Sequence, residues 1–304
     1  MTADISFAIP YYSAPEYLRE TLASLRSQTH LNWEAVVVDD ASPEPVADLI
    51  AELGDPRISY VRNDTNLGLA ANWNKAIGLT SAPLVCVLHS DDLLEPNYAT
   101  TMIGIMTSTP EASAGHCRVS IIGANGLPRR TLTDFVKRII QPKAKGLIVS
   151  AGEDGLASML RGSWIYCPTL CFRRSQLPSV PFDKSWRFTL DFDLIARMFL
   201  DGQQVIGTTS KLYRYRRHDG AQTRVLTNEL TRFEEELSFY AQMYRAAKEH
   251  QWSKAQRHAQ RATVIRLHLL LQVVNRATQL HFISAAKAMR LMFQSTKHFH
   301  ASSN

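Results

Sequence analysis

The chain has 304 residues, of which 45% are hydrophobic and 20% are charged. This composition is typical of a folded globular protein with a large core, which excludes wholesale disorder, and 14 glycines and 13 prolines exclude a collagen-like or linker-like chain. The formal net charge is +6, but residues 1–210 carry 18 Lys and Arg against 22 Asp and Glu, whereas residues 211–304 carry 16 against 6. A basic surface suited to anionic partners is therefore expected in the last third alone.

Strands and helices are predicted to alternate over the first hundred residues. Short apolar or β-branched runs predict four strands, over Ile5–Ile9, Ala35–Val38, Ile58–Val61 and Leu84–Leu88. Apolar residues at helical spacing predict the helices between them, over Pro15–Ser27, Val46–Leu53 and Leu69–Leu79. This alternation favours a parallel sheet with right-handed crossovers.

The later residues are predicted to continue the sheet and then to become helical. A strand is expected over His116–Ile122, followed by a long basic loop with a short helix that extends to Lys145. Further elements are a helix over Glu153–Leu160, a strand over Thr169–Phe172, a helix over Leu190–Leu200 and a strand over Lys211–Arg216. From Asn228 onwards we expect about three helices, broken near 250–253 and 275–278.

Polar clusters follow each of the first four predicted strands. Parallel sheets bind ligands at the carboxyl ends of their strands, so four such clusters indicate a single site. They are Pro10-Tyr11-Tyr12, Asp39-Asp40, Asn63-Asp64 and Ser90-Asp91-Asp92. Adjacent carboxylates after a buried strand repel each other unless a cation neutralises them, and magnesium is commonly bound by one or two carboxylates together with substrate phosphates. The pair Asp91-Asp92 therefore predicts a metal and diphosphate site, with a helix N-cap before Leu93–Met102 as the alternative.

Several motifs in order resemble family 2 glycosyltransferases. The matching segments are Ile9–Tyr12, Leu22–Trp33, Val36–Ser42, Asn66–Gly68, Asn72–Ile77 and Ser90–Asp92. The resemblance implies an α/β protein of the GT-A (Rossmann-like) fold, with a mainly parallel sheet flanked by helices and a C-terminal helical extension. It predicts a transferase domain over 1–223, with a nucleotide-sugar half over 1–110 and an acceptor half over 111–223, and a basic helical extension over 224–304.

The resemblance also implies a donor site. Asp39 is expected to bind the nucleobase within a pocket lined by Pro10, Tyr11 and Tyr12, and Asp91 is expected to contact the ribose. Asn66, Gly68 and Asn74 are expected near the base and diphosphate. Many family members have an arginine where this chain has Trp73, so Lys75 and Arg216 become the candidate cations for the diphosphate. Asp92, together with His218, is expected to hold Mn²⁺ or Mg²⁺.

The catalytic base is implied by the segment Leu190–Leu194. The family has an acidic pair here, and its second acid corresponds to Asp191, while Leu190 replaces the first; Asp193 is the alternative. One general base on the acceptor side suffices for an inverting transfer, because the metal stabilises the leaving diphosphate. Trp164 and the 162–169 segment are candidates for the acceptor pocket, with core packing as the alternative.

The predicted function is inverting transfer of a sugar from a UDP- or dTDP-type donor to a glycan or lipid-linked acceptor in cell-surface polysaccharide or lipopolysaccharide synthesis. A nucleotidyltransferase and a non-catalytic nucleotide-sugar binding protein are the alternatives. No nucleic-acid recognition module is present. Lys254, Arg257 and Arg261 share a helical face that either contacts an anionic membrane or is merely solvated.

The protein is expected in the cytoplasm, where peripheral contact with the inner face of the plasma membrane is a further possibility. Four cysteines are too few for a disulfide scaffold and are expected to be reduced. The first residues lack the basic and long apolar segments of a signal peptide, and no run of 18 apolar residues predicts a spanning helix.

Overall fold

A computed structural model describes residues 2–129, 139–142, 144, 146–218, 226–227 and 229–294. Most of the basic loop and the short helix predicted before Lys145 lie outside these residues. Within the described residues, nine strands form one sheet in the order β3-β2-β1-β4-β8-β6-β9-β5, and β7 pairs with β9. The strands are β1 (Ile5–Tyr11), β2 (Trp33–Asp39), β3 (Ile58–Arg62), β4 (Leu84–Val87), β5 (Leu93–Leu94), β6 (Ala112–Gly123), β7 (Ile148–Ala151), β8 (Cys171–Arg173) and β9 (Gln204–Arg217).

The parallel arrangement predicted for the first four strands is confirmed. Strand β1 pairs in parallel with β2 and β4, and β2 pairs in parallel with β3. The second half of the sheet is mixed, because β8 runs antiparallel to both β4 and β6, while β6 and β9 are parallel. The predicted helix start at Leu93 is wrong, since Leu93–Leu94 forms the short strand β5 against β9.

Ten helices with described bounds cover the two faces of the sheet. They are α1 (Pro15–Arg26), α2 (Ala47–Leu53), α3 (Leu69–Gly78), α4 (Tyr98–Ser108), α5 (Gly152–Arg161), α6 (Leu190–Leu200), α7 (Thr231–Glu249), α8 (Ser253–Arg261), α9 (Thr263–Thr278) and α10 (Phe282–Phe293). Apolar side chains of α1, α2 and α4 share one core cluster with one face of the sheet. Helices α3, α5 and α6 share the other cluster with α7 to α10, so the C-terminal helices extend the core of the sheet.

The C-terminal region contains one more break than predicted. The break at 250–252 is confirmed, and the second predicted break lies at 279–281, just after α9 ends. The additional break is at Ala262, whose positive φ of 44° separates α8 from α9 without any glycine or proline signal in the sequence. None of the described helices combines the length and the apolar composition needed to cross a bilayer.

The basic face predicted on α8 lines a small cavity against α5. Lys254, Arg257 and Arg261 surround about 300 Å³ together with Arg161 of α5. Lys254 donates to the carboxylate of Asp154 at 2.9 Å. This basic cluster therefore combines side chains from two helices that are almost a hundred residues apart in the chain.

The close contact of α5 with α6 gives a prediction about stability. A Cβ atom at Gly155 would lie 2.8 Å from Cε1 of Phe199, whereas a Cβ atom at Gly104 of α4 would have no heavy atom within 4 Å. Gly155→Ala is expected to lower the free energy of unfolding by about 1–3 kcal/mol, because overpacking displaces the phenyl ring. The control Gly104→Ala is expected to raise it by about 1 kcal/mol, because alanine favours a helix. Urea denaturation measures both; equal effects would contradict the tight contact.

Candidate active site

A large cavity of about 1050 Å³ lies over the carboxyl ends of β1, β2 and β4. Its walls include residues from the loops after these strands, from the start of α6 and from α9. Eight of the site residues predicted from the sequence line it: Pro10, Tyr11, Tyr12, Asn66, Gly68, Asp91, Asp191 and His218. The cavity therefore brings together groups that lie far apart in the chain, as the strand-end clusters predicted.

The expected nucleobase ligand Asp39 does not line this cavity. It is fully buried, and its carboxylate accepts hydrogen bonds from Ser42, Tyr60 and Arg62. Its neighbour Asp40 lines the cavity instead. Successive side chains at the end of a strand point in opposite directions, so one member of the pair faces the core of the loop and the other faces the cavity.

Asp40 also holds the loop before α3. Its two carboxylate oxygens accept backbone N–H groups of Leu67 and Gly68 at 2.8 and 3.0 Å. Gly68 has a φ of 81°, a conformation that side chains other than glycine rarely adopt. The aspartate and the glycine therefore fix the position of the Asn66–Gly68 segment on the cavity wall.

The predicted contacts of Asn74 and Lys75 with the diphosphate are not supported by the geometry. The Asn74 amide exchanges two hydrogen bonds with the backbone of Phe182, at 2.7 and 2.9 Å. Lys75 donates to Asn63 at 2.7 Å, and neither residue lines the cavity. Trp73 does line it, with its ring 5.1 Å from the ring of His89.

The loop after β4 holds a group of metal-ligating side chains. His89, Asp91 and Asp92 each offer one ligand atom, and these atoms all lie within 4.8 Å of one another. Nε2 of His89 is buried and has no hydrogen-bond partner among the described residues. The sequence analysis did not single out His89; its position one residue before Ser90-Asp91-Asp92 was the available signal.

The two acids of this loop have different surroundings. Asp91 lines the cavity and accepts a hydrogen bond from, or donates one to, Nε2 of His218 at 2.9 Å. Asp92 lies behind it, where its carboxylate accepts the backbone N–H of Arg216 at 2.7 Å and the hydroxyl of Tyr213 at 3.1 Å. His218, the predicted metal ligand, is hydrogen-bonded to Asp91 through Nε2 and lies beside this group of three rather than within it.

Burial and charge separate the pKa values of these groups. Burial next to the negative charge of Asp91 raises the pKa of Asp92 well above its usual value. Burial also opposes ionisation of Asp91, but its hydrogen bond with His218 and the nearby His89 lower its pKa overall. Burial lowers the pKa of His89, which favours the neutral imidazole that binds metals. A divalent cation would relieve the repulsion between the two acids.

Arg216 is not placed to bind a diphosphate. Its side chain is buried, and the guanidinium donates to the backbone oxygens of Asp91 and Ala124 and to the carboxylate of Glu20. The guanidinium thereby holds the Asp91 loop against the end of β9. The next residue, Arg217, lines the cavity, because side chains alternate along the strand.

The predicted base Asp191 lies in the first turn of α6 and lines the cavity. Helix α6 spans Leu190–Leu200, the bounds predicted from the sequence. The alternative base Asp193 does not line the cavity and is paired with Arg197 at 2.8 Å, while burial raises its pKa. Of the two acids, only Asp191 can reach a molecule in this cavity.

The start of α6 is held by a carboxylate from α7. Glu235 accepts the backbone N–H groups of Arg187, Phe188 and Thr189, the last two at 2.6 and 2.7 Å, and also the hydroxyl of Thr189. These bonds satisfy donors that precede the helix and fix its starting position. A C-terminal helix therefore helps to position Asp191.

Glu235→Ala is expected to lower kcat at least tenfold and the free energy of unfolding by about 2 kcal/mol, because three backbone donors lose their acceptor. The adjacent Glu234 forms an ion pair with Lys287 at 2.9 Å and provides the matched control. Glu234→Ala is expected to change both quantities little, since surface ion pairs contribute little. Turnover assays and urea denaturation measure the two effects; equal kcat values for the two variants would contradict the positioning role.

The far wall of the cavity comes from the acceptor segment and α9. Gly162, Ser163 and the 165–168 segment line it, as predicted. Trp164 does not line it, since its indole packs 5.1 Å from the ring of His116 and donates to Ser158. Val264, Leu267 and Leu271 add an apolar surface that the sequence did not predict.

Residues 6–165 match the sequence profile described as glycosyl transferase family 2. The chain belongs to glycosyl transferase family 2. This confirms the family indicated by the strand-end motifs.

Curated relatives of this glycosyltransferase act in polysaccharide biosynthesis according to their names. The succinoglycan biosynthesis protein ExoO of Rhizobium meliloti is 25% identical over 224 residues, which are 73% of this chain and 63% of that protein. The putative colanic acid glycosyl transferase WcaA of Escherichia coli K12 is 34% identical over 95 residues, 31% of this chain and 34% of that one. The transferase thus spans less than two thirds of the length of these relatives.

Solved structures show the same fold as this glycosyltransferase. The mannosyltransferase PcManGT of Pyrobaculum calidifontis, in complex with GDP-Man and Mn²⁺, has a TM-score of 0.62 and 13% identity, covering 96% of this chain and 86% of that one. TarS of S. aureus in complex with UDP-GlcNAc has a TM-score of 0.58 and 14% identity, covering 95% and 90%. The predicted GT-A fold with a C-terminal helical part is confirmed.

Proposed function

We propose that this glycosyltransferase moves a sugar from a nucleoside-diphosphate sugar to a hydroxyl of a glycan or lipid-linked acceptor, with inversion at the anomeric carbon. The observation that carries the proposal is one continuous cavity with Asp91 and Asp191 on its wall. Transfer of this kind needs a site for the leaving diphosphate and a separate base for the attacking hydroxyl. The two acids come from different elements, the β4 loop and α6, and so provide both.

The nucleotide end of the cavity is proposed to lie at the ends of β1 and β2. Tyr12 is half exposed and offers an aromatic face for a base, and Asp40 with the Asn66–Gly68 segment offers polar groups beside it. A UDP- or dTDP-type donor is the proposed class. The complexes of TarS with UDP-GlcNAc and of PcManGT with GDP-Man support a nucleotide sugar as the donor class.

His89, Asp91 and Asp92 are proposed to hold Mn²⁺ or Mg²⁺. Their ligand atoms lie close enough to share one ion, and Nδ1 of His89 lies 3.7 Å from a carboxylate oxygen of Asp92. Arg216 and Tyr213 keep the Asp92 carboxylate in place, and His218 does the same for Asp91. When bound, the cation supplies positive charge that stabilises the leaving diphosphate.

Asp191 is proposed as the general base. Its carboxylate takes the proton of the acceptor hydroxyl while the hydroxyl oxygen bonds to the anomeric carbon from the face opposite the diphosphate. The bond between that carbon and the phosphate oxygen breaks, and its electron pair leaves with the nucleoside diphosphate. Product release then returns the proton from Asp191 to solvent. Family membership favours this reaction over nucleotidyl transfer, and the presence of Asp191 on the cavity favours it over a non-catalytic role.

A thermal-shift screen tests the proposal. UDP-, dTDP- and GDP-sugars are added to the purified chain with Mn²⁺, with Mg²⁺ or with a chelator. A ligand that binds only the folded state raises Tm by an amount that grows with its concentration relative to Kd. One donor is expected to raise Tm in the presence of the cation and to be turned over on a glycan acceptor. If no nucleotide sugar raises Tm under any condition, the proposed donor class is wrong.

A further inference from the structure

An unusual number of large apolar side chains is exposed on α9, on α10 and in the turn between them. Nine such residues within positions 267–293 are each at least 44% exposed, and Ile283 reaches 91%. Soluble monomers rarely expose apolar groups in such a concentration unless the surface binds something. The residues, which together define the apolar face, are Leu267, Leu270, Leu271, Val274, Leu280, Phe282, Ile283, Met289 and Phe293.

The spacing of these residues gives each helix a second apolar side. In α9, residues Leu267, Leu270, Leu271 and Val274 recur at helical spacing, while Leu269 is buried against the core. In α10, Phe282, Met289 and Phe293 share one side of the helix, while Ala288 and Leu291 are buried on another side. The inner sides pack on the protein, so the apolar face is left for another partner.

The charge of this region selects the partner. Residues 251–294 contain seven Lys and Arg and no Asp or Glu. Lys254 and Lys287 pair with acids outside this segment, Asp154 and Glu234, and the segment still carries an excess of positive charge. A second copy of the chain docked on the same face would bring two such basic surfaces together, which opposes that dimer. An anionic bilayer complements both properties, because its headgroups attract the cations and its acyl region accepts the apolar side chains.

We propose that the apolar face binds the transferase to an anionic membrane, and that the face lies in the interface at the level of the headgroups. Leu267 and Leu271 belong to this face and also line the cavity that holds Asp191. The docked face would thus lie beside the end of the cavity that takes the acceptor. An acceptor anchored in the bilayer would reach Asp191 from there. This last step rests on the proposed function, whereas the membrane contact does not.

Vesicle flotation of the full chain without donor tests the contact. The wild type is expected to float with vesicles of phosphatidylcholine and phosphatidylglycerol and to bind vesicles of phosphatidylcholine alone more weakly. The double variant Ile283→Gln/Phe293→Gln is expected to lose at least tenfold in partitioning, since it removes two apolar side chains that lie outside the core. Leu31→Gln/Val149→Gln is the matched control, because these residues are 70% and 61% exposed and lie elsewhere, and it is expected to float like the wild type.

The proposal is overturned if the wild type does not float, or if the control loses as much binding as the test variant. It is also overturned if the wild type is a dimer in size-exclusion chromatography and the substitutions Ile283→Gln/Phe293→Gln dissociate that dimer. Urea denaturation of both double variants verifies that neither has lost its fold. Because flotation needs no donor, an inactive enzyme that floats would contradict the proposed function and leave the docking surface intact.

Discussion

Asp191→Asn is expected to lower kcat for sugar transfer by about 10²- to 10⁴-fold, the usual contribution of a general base. Asparagine has nearly the same shape as aspartate but cannot take up the proton of the acceptor hydroxyl. The change leaves the start of α6 intact, because Glu235 holds the backbone that precedes Asp191. Donor binding, measured by calorimetry, is therefore expected to match the wild type while steady-state transfer falls.

Asp193→Asn is the control for this variant. Asp193 lies two residues further along α6, pairs with Arg197 and does not line the cavity. Its replacement is expected to lower stability and to leave kcat of the folded protein near the wild-type value. If Asp193→Asn abolished transfer and Asp191→Asn did not, the base would be the other acid.

Asp91→Asn is expected to weaken cation-dependent donor binding by about 100-fold or more, since even groups that only support a metal ligand contribute 10–100-fold to affinity. Asp91 is the acid that both lines the cavity and belongs to the ligand group with His89 and Asp92. Its lowered pKa keeps it ionised near neutral pH, so the substitution removes a full negative charge. Calorimetry of UDP with and without Mn²⁺ measures the loss.

Asp64→Asn removes the same charge from an exposed position that does not line the cavity. It is expected to bind UDP and Mn²⁺ like the wild type, which separates loss of a ligand from a change in net charge. An unchanged Mn²⁺-dependent UDP affinity in Asp91→Asn would show that the cation is held elsewhere or is not needed.

Local patterns were sufficient for much of the sheet and for the location of the site. The four parallel strands and the bounds of α6 follow from hydrophobic spacing over short windows. The polar clusters at the strand ends indicated one site because parallel strands present their carboxyl ends at the same edge. Strand β5 was missed, since two residues carry no periodic signal, and the four-residue strand β7 was missed as well.

Three adjacent pairs show where such patterns stop being sufficient. The sequence indicated Asp39-Asp40 and Asp91-Asp92 as acids near the site and Arg216 as a candidate cation for the diphosphate. The residues that line the cavity are Asp40, Asp91 and Arg217, the neighbour of Arg216. The partner of each is tied to other protein groups. Asp39-Asp40 and Arg216-Arg217 lie at strand ends, where neighbouring side chains point in opposite directions, whereas Asp91-Asp92 lies in the loop after β4. Which side chain faces the site depends on strand register and on distant groups such as Glu20 and Arg62.

The sequence by itself determined the family, the order of the elements and the segments that carry the acids, because these depend on local spacing and on motifs in a fixed order. Only the tertiary structure decided that the C-terminal helices contribute to the site. Glu235 positions the start of α6, and Leu267 and Leu271 line the cavity, although these residues lie 44 to 80 positions after Asp191. Such contacts arise from packing between helices distant in the chain, which no local pattern encodes.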